Sequence, residues 1–186
     1  MKPTILLCTG RYFDFTAPTA LTEEEVAHAL SNICRFTGHS REFYSVAQHS
    51  VLVSMLVPRP LALWGLMHDA VEAVVGDMAS PLKRLIPEYK ALEHRCEAVI
   101  LAGFGLVGDM PAEVKHADRV ALRTEQRDVM HKEGGLWTSL EGIEAPTWLT
   151  VKPWTPDEAR RRFLKRYDWL RAEADSAQDS HFMLVA

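Results

Sequence analysis

The sequence predicts an all-α helical bundle that carries a small N-terminal β-hairpin. Apolar residues recur at helical spacing through most of the chain, and capping motifs precede several of these segments, whereas strand-like alternation occurs near the start. With 186 residues, 47% of them hydrophobic, the chain can bury one good core but is short for two. We therefore expect a single domain over residues 1–186.

The hairpin prediction rests on the beginning of the sequence. An apolar run of four residues, Ile5 to Cys8, is followed by the turn residues Thr9-Gly10 and then by alternating residues from Tyr12 to Phe15. We expect this hairpin, within 1–20, to be a flap on the main body. The apolar run is shorter than a signal-peptide core or a membrane span, so we expect a cytoplasmic protein with no membrane partner.

Capping motifs mark where several helices begin. They occur at Thr22, Ser45 and Thr155, each followed three residues later by Glu or Gln. The first predicts a helix over 23–35, and the mostly apolar run 61–75 predicts one continuous buried helix that ends at a glycine. Ligands on such helices can converge in the centre of a bundle.

Two regions lack clear helical periodicity. Residues 136–154 combine three tryptophans with two prolines, which predicts a long ordered loop. Residues 175–186 predict a flexible C-terminal tail.

Charge and cysteine content narrow the function classes. The net charge of −4 gives no support for a surface that binds a nucleic acid polymer, although a local cationic pocket for a small anion is compatible with it. The three cysteines, Cys8, Cys34 and Cys96, have no C-x-x-C spacing, so we expect reduced thiols. The sequence leaves homo-oligomerisation open.

Four residues predict a metal site. His49 lies near the start of one predicted helix, His68-Asp69 lies inside an apolar one, and Asp118 lies on a third. Imidazole and carboxylate groups bind divalent metals such as Zn, Co, Mn, Fe or Mg. The alternative, that each is a satisfied core residue, requires a separate buried partner for every one of them, so we favour the metal site.

Glu72 is the candidate general acid or base. It follows His68 by four residues, so both side chains would share one face of a continuous helix. A carboxyl group in that place could act on water at the metal without being a ligand. The alternative is a solvated helix residue, which the apolar neighbours Val71, Val74 and Val75 disfavour.

The order of these residues resembles the H…HD…D metal-ligand pattern of the HD phosphohydrolase superfamily. The similarity covers about residues 20–130 and extends to one subgroup, which contains bacterial 5′-deoxynucleotidases and small phage enzymes that cleave dATP to deoxyadenosine and triphosphate. The residues that carry it are Arg35-Phe36, the segment 43–50, His49, His68-Asp69, Glu72, Gly76-Asp77 and Asp118. The resemblance implies an HD-domain helical bundle.

The resemblance also suggests roles around the metal. Asp77 would be a second catalytic acid, although a plain helix cap is an alternative. Arg35, Lys83 and Lys115 would bind phosphates, Lys115 because it precedes Asp118 by three residues, and ordinary surface cations are the alternative. Phe36 would pack against the sugar or the base, or else in the core.

We therefore expect an enzyme whose partner is a deoxynucleotide. Three cations are more than one monophosphate requires, which favours a dATP or dNTP triphosphohydrolase in which water attacks the α-phosphorus. The alternative is a 5′-deoxynucleotidase that releases phosphate from a deoxynucleoside monophosphate. A second alternative is a catalytically inert nucleotide-binding regulator, which the complete ligand set and Glu72 disfavour.

Overall fold

The computed structural model describes residues 2–132, 135 and 137–185, with side chains described as far as residue 174. It confirms the prediction of a helical fold with a small N-terminal hairpin. Strands β1 (Thr4–Leu6) and β2 (Tyr12–Asp14) are antiparallel. The α-helices are α1 (Glu23–Asn32), α2 (Val46–Leu56), α3 (Ala62–Met67), α4 (Glu72–Val75), α5 (Ser80–Lys83), α6 (Pro87–Gly103), α7 (Ala112–Asp128) and α8 (Pro156–Val185).

The hairpin is anchored to α1 through the buried carboxylate of Glu25. Thr22 and Glu25 form the predicted capping box, in which each side chain accepts a hydrogen bond from the other residue's backbone N–H. Arg11, just before β2, donates to both carboxylate oxygens of Glu25, at 3.1 and 2.6 Å. These hydrogen bonds from Arg11 are the main reason why the pKa of Glu25 falls to about 2.

Replacing Glu25 with glutamine should therefore destabilise the fold by about 1–3 kcal/mol at pH 7. Because the pKa of Glu25 is lowered in the folded state, its contribution is present above the unfolded value near 4.5 and is lost as the pH falls toward about 2. Urea unfolding at pH 7 and pH 3 should show the difference between wild type and variant shrinking at the lower pH. Glu42→Gln, at an exposed position, is the control, and a difference that does not change with pH would contradict the assignment.

Helix α1 ends earlier than the sequence predicted. We expected a helix over 23–35, but it ends at Asn32. Cys34 instead forms a β-bridge with Ser45, and the Arg35 N–H donates to the Tyr44 carbonyl at 2.8 Å. This pairing with residues 44–45 carries Arg35 out of the helix and toward the start of α2.

The predicted continuous helix over 61–75 is interrupted at the candidate metal ligands. Residues 68–71 form a turn between α3 and α4, in which hydrogen bonds join residues three apart, such as Glu72 N–H to the Asp69 carbonyl at 3.0 Å. Residues three apart lie on the same side of so tight a turn. Asp69 and Glu72 therefore share a side, rather than His68 and Glu72 as in a regular helix.

Helix α2 lies at the centre of the bundle and packs against α1, α3, α7 and α8. Its residues from Val46 to Ser54 are all buried. The contact with α3 is close because residue 65 is glycine, and a Cβ at Gly65 would lie 2.9 Å from the Ser54 Cα. This close approach brings the segment that carries His68 toward the face of α2 that carries His49.

The loop before α8 packs against α2. The side chain of Gln48 donates to the Lys152 carbonyl and accepts from the Trp154 N–H, both at 2.8 Å. Leu136, the first residue of the loop predicted over 136–154, lies outside the described residues.

The backbone of α8 is helical to Val185, so the helix includes most of the tail that the sequence predicts to be flexible, residues 175–186. The side chains of this tail and Ala186 lie outside the described part of the chain, and its flexibility stays a prediction. Among the described helices, none is long and apolar enough to cross a membrane.

Candidate metal centre and its cavity

Three side chains from separate parts of the bundle converge in a way that could hold a metal ion. His49 lies in the first turn of α2, His68 follows α3, and Asp118 lies in α7. One ligand atom from each lies within 4.8 Å of the other two. His49 Nε2 is 3.3 Å from His68 Nε2 and 3.1 Å from Asp118 Oδ1.

Asp69 brings a fourth ligand atom to the same place. Its Oδ2 lies 3.6 Å from His49 Nε2 and 3.2 Å from His68 Nε2. Donor atoms at about 2.0–2.2 Å from one tetrahedral ion are about 3.3–3.6 Å apart, close to these separations of 3.1–3.6 Å. Among the described residues, the group whose ligand atoms all lie within 4.8 Å of one another is His49, His68 and Asp118, and Asp69 lies beside it.

Hydrogen bonds orient both imidazole rings toward this point. His68 Nδ1 is 2.9 Å from the Gly65 carbonyl, and His49 Nδ1 is 2.6 Å from a carboxylate oxygen of Glu125. Because a carbonyl and a carboxylate can only accept, each Nδ1 is the donor, and in the neutral form of each ring the lone pair lies on Nε2. Both rings therefore present the nitrogen that a metal would bind.

Glu125 is a buried carboxylate that sequence reasoning missed. It is fully buried in α7, accepts from the Tyr44 hydroxyl at 2.8 Å and lies 3.3 Å from the Arg35 guanidinium. Burial raises its pKa, but the positive charge of Arg35 and the contact with His49 outweigh this and hold the pKa below its ordinary value. Its position seven residues after Asp118, two helical turns along the same face, is the signal that could have identified it.

Changing Glu125 to glutamine should weaken metal binding by about 10- to 100-fold, because a carboxylate that orients a ligating histidine contributes on that scale. The amide keeps the shape of the side chain and removes its charge. A chelator competition titration measures the affinity. Tyr44→Phe is the matched control, since it removes a hydrogen bond to the same carboxylate while leaving the His49 contact, and equal affinities for Glu125→Gln and wild type would contradict the positioning role.

The carboxylates around His49 also affect how strongly its ring binds a proton, which competes with a metal ion for Nε2. Burial and the positive charge of Arg35 lower the pKa of His49. The effect of Glu125 and Asp118 in the opposite direction is larger, so the pKa of His49 rises above its ordinary value, to about 9. A metal ion bound at Nε2 would replace the proton that these carboxylates otherwise favour.

A cavity of about 930 Å³ opens beside these ligands. Asp69 and Asp118 border it, as do five residues that the sequence predicted to act on substrate: Arg35, Phe36, Glu72, Asp77 and Lys83. Its size is within the range of pockets that hold whole small-molecule ligands. The predicted catalytic and binding residues are thus brought together, with one exception.

Lys115 is the exception. It is exposed and is not among the described residues that border the cavity. Three residues along a helix correspond to about 300°, so Lys115 is rotated by about 60° from Asp118, and here that rotation is toward solvent. Arg84, which the sequence analysis did not single out, borders the cavity beside Lys83.

Glu72 is a buried acid without a partner for one of its oxygens. It is 7% exposed, and its Oε2 has no hydrogen-bond partner among the described residues. Burial, reinforced by the negative charges of Asp69 and Asp77, raises the pKa of Glu72 well above its ordinary value. These surroundings favour the protonated form, which can donate a proton.

Three other charged residues of the cavity wall, Asp77, Lys83 and Arg35, are affected by their surroundings. Burial raises the pKa of Asp77, more than the positive charge of Arg35 lowers it. Lys83 lies 2.6 Å from the carboxylate of Glu93, so its charge is already paired. Arg35 lies between two carboxylates, with Asp69 at 3.7 Å and Glu125 at 3.3 Å.

Comparison with known proteins gives relatives that span nearly the whole chain. No family model matches the sequence. The uncharacterized protein YfdR of Escherichia coli (strain K12) is 45% identical over 157 residues, which cover 84% of this chain and 88% of YfdR. The uncharacterized protein RCAP_rcc00048 of Rhodobacter capsulatus is 32% identical over 180 residues, which cover 87% of this chain and 92% of that protein. The chain therefore belongs to the protein family that contains YfdR and RCAP_rcc00048.

Proposed function

We propose that this protein is a metal-dependent phosphohydrolase that acts on 2′-deoxynucleotides and has the active site of an HD-type enzyme. One observation carries the proposal: ligand atoms of His49, His68 and Asp118 lie within 4.8 Å of one another, with Asp69 Oδ2 3.2 Å from His68 Nε2, beside a cavity bordered by the buried, partly unpaired carboxyl group of Glu72. A site built only for structure would leave such a carboxyl group unexplained, because an unsatisfied buried polar group destabilises the fold.

In this proposal the four ligands bind one divalent ion. Two imidazole nitrogens with two carboxylates suit Zn, Mn, Fe or Co better than Mg, which prefers oxygen ligands throughout. When bound, such an ion would lower the pKa of water and polarise phosphoryl oxygens. Glu72 then donates a proton to the departing ester oxygen, while Arg35 binds the phosphate with its planar guanidinium.

The number of cations that border the cavity indicates how many phosphate groups the substrate carries. The triphosphate prediction rests on three cations, but Lys115 is not among the described residues that border the cavity, which leaves Arg35 and Lys83 to bind the phosphate. We therefore propose a deoxynucleoside 5′-monophosphate as the substrate. A triphosphate is the second candidate, since Arg84 borders the cavity and the volume of about 930 Å³ can hold a larger ligand.

Product analysis tests this proposal. Metal-loaded protein is incubated separately with dAMP, dATP and AMP, and the phosphorus products are identified by ³¹P NMR. We expect phosphate from dAMP. Triphosphate from dATP would instead support the triphosphohydrolase, and no phosphorus product from any of the three would support an inert nucleotide-binding protein.

Lys83 and Lys115 form a matched pair of lysine variants. Lys83→Ala should reduce kcat/KM for the preferred nucleotide about tenfold, because it removes a cation from the cavity wall. Lys115→Ala should stay within about twofold of wild type, as expected for an exposed charge. Steady-state kinetics of both variants measure the difference, and equal losses would contradict the placement of the two lysines.

A further inference from the structure

We propose that Trp137 is the residue that contacts the nucleobase, so that the site selects phosphate esters carrying an aromatic base. This inference rests on the proposed function and names a specificity-determining residue for it. Trp137 borders the same cavity as the metal ligands Asp69 and Asp118, together with its neighbours Thr138 and Ser139. It is only partly buried, so part of the indole ring can contact a ligand.

A line of contacts leads from the metal centre to Trp137. Asp69 lies 3.7 Å from the guanidinium of Arg35, and that guanidinium lies 5.2 Å from the centre of the Phe36 ring. The centre of the Phe36 ring lies 5.8 Å from that of Trp137. Charged groups thus lie near the metal ligands, and aromatic rings lie farther from them. A nucleotide has the same order, with its charged phosphate at one end and its aromatic base at the other.

The backbone beside these rings is strained. Phe36 and Thr37 have φ values of 57° and 54°, in the left-handed region that residues other than glycine rarely adopt. Such strain persists where surrounding contacts stabilise it, and it is concentrated at functional sites. Here the strained turn places the Phe36 ring between Arg35 and Trp137, which supports Trp137 at the cavity wall.

The chemistry of an indole ring defines what this wall would select. Stacking on an aromatic side chain needs a π-face, which every nucleobase has, and it tolerates different bases. We therefore expect similar binding of several deoxynucleosides and much weaker binding of the base-free sugar. Thr138 and Ser139 border the same cavity, and their side chains offer hydroxyl groups for the polar edges of a base.

Direct binding of deoxyadenosine tests this role independently of hydrolysis, because deoxyadenosine has no phosphate. Isothermal titration of the metal-loaded protein should show tighter binding of deoxyadenosine than of 2-deoxyribose. Trp137→Ala should weaken deoxyadenosine binding about tenfold to a hundredfold, the range for one stacked base, and Trp137→Phe should restore most of it. Trp148→Ala, at a tryptophan that is 75% exposed and does not border the cavity, should bind like wild type.

Kinetics separate this inference from the proposed function. With dAMP as substrate, Trp137→Ala should raise KM about tenfold to a hundredfold, as for deoxyadenosine binding, and leave kcat nearly unchanged. With 2-deoxyribose 5-phosphate, which has no base, the variant and wild type should have equal turnover. The role of Trp137 would be overturned if Trp137→Ala bound deoxyadenosine as tightly as wild type does. It would also be overturned if wild type did not bind deoxyadenosine, even if dAMP is hydrolysed. Equal losses on dAMP and on 2-deoxyribose 5-phosphate would also overturn it. Loss of deoxyadenosine binding in Trp137→Ala supports the role even in a protein that releases no phosphate.

Discussion

Replacing His68 with alanine should give a folded protein that no longer retains a divalent metal and releases no phosphate from a deoxynucleotide. The Nε2 atom of His68 lies 3.3 Å from that of His49 and 3.2 Å from Asp69 Oδ2, so its loss removes one corner of the shared coordination shell. Asp69 and Asp118 would remain, but two carboxylates with one imidazole bind these metals more weakly.

The His68 variant is measured by elemental analysis of the purified protein, together with circular dichroism to verify the fold. His94→Ala is the matched control, because His94 lies on α6 with an exposed side chain. It should keep its full metal content and activity. Full metal occupancy in His68→Ala would contradict the proposed ligand set.

The second large effect concerns Glu72. Glu72→Gln should keep the metal and lose turnover by about 10²- to 10⁴-fold, the usual scale for a general acid or base. The amide has the same shape as the carboxyl group and has no acidic proton to donate. Because burial and the charges of Asp69 and Asp77 raise the pKa of Glu72, the wild-type group favours the proton-carrying form that glutamine cannot replace.

The control for this variant is Glu97, a half-buried glutamate. Burial also raises the pKa of Glu97, which lies on α6 and does not border the cavity. Glu97→Gln should therefore retain activity. If Glu72→Gln lost its metal but kept its activity per bound ion, Glu72 would be a ligand and not the proton donor.

Much of the candidate metal centre could be predicted because the residues that could bind an ion are distinctive in type and order. His49, His68 and Asp118 converge as the sequence predicted, since the helices that carry them pack in one bundle. Glu125 could not be identified in the same way. Its spacing of seven residues from Asp118 places it on the same face of α7, but the hydrogen bonds that it makes with His49 and Tyr44 follow from packing.

The local geometry around the site was less predictable. The apolar run 61–75 has the composition of a continuous helix, and nothing in it indicates the turn at residues 68–71 that places Asp69 beside Glu72. Likewise, helical spacing suggested that Lys115 would accompany Asp118, but a rotation of about 60° around α7 is enough to expose it. Trp137 enters the cavity from a loop whose path depends on tertiary contacts.

The capping boxes show why helix starts were easier to predict than helix ends. Thr22 and Glu25 form the expected reciprocal hydrogen bonds, because both partners lie within four residues of each other. The end of α1 is followed by the bridge between Cys34 and Ser45, which are eleven residues apart in the sequence. Such non-local pairing overrides local helical preference.

Hydrolysis in water enriched with ¹⁸O tests the central claim, that this metal centre directs water to the phosphorus of a deoxynucleotide. Metal-loaded protein is incubated with dAMP in labelled water, in parallel with chelator-treated protein, and both products are analysed by mass spectrometry. The proposed function predicts phosphate that carries one ¹⁸O atom from the metal-loaded sample, unlabelled deoxyadenosine, and no release above background after chelation. Label in deoxyadenosine, or phosphate release that persists without metal, would contradict it.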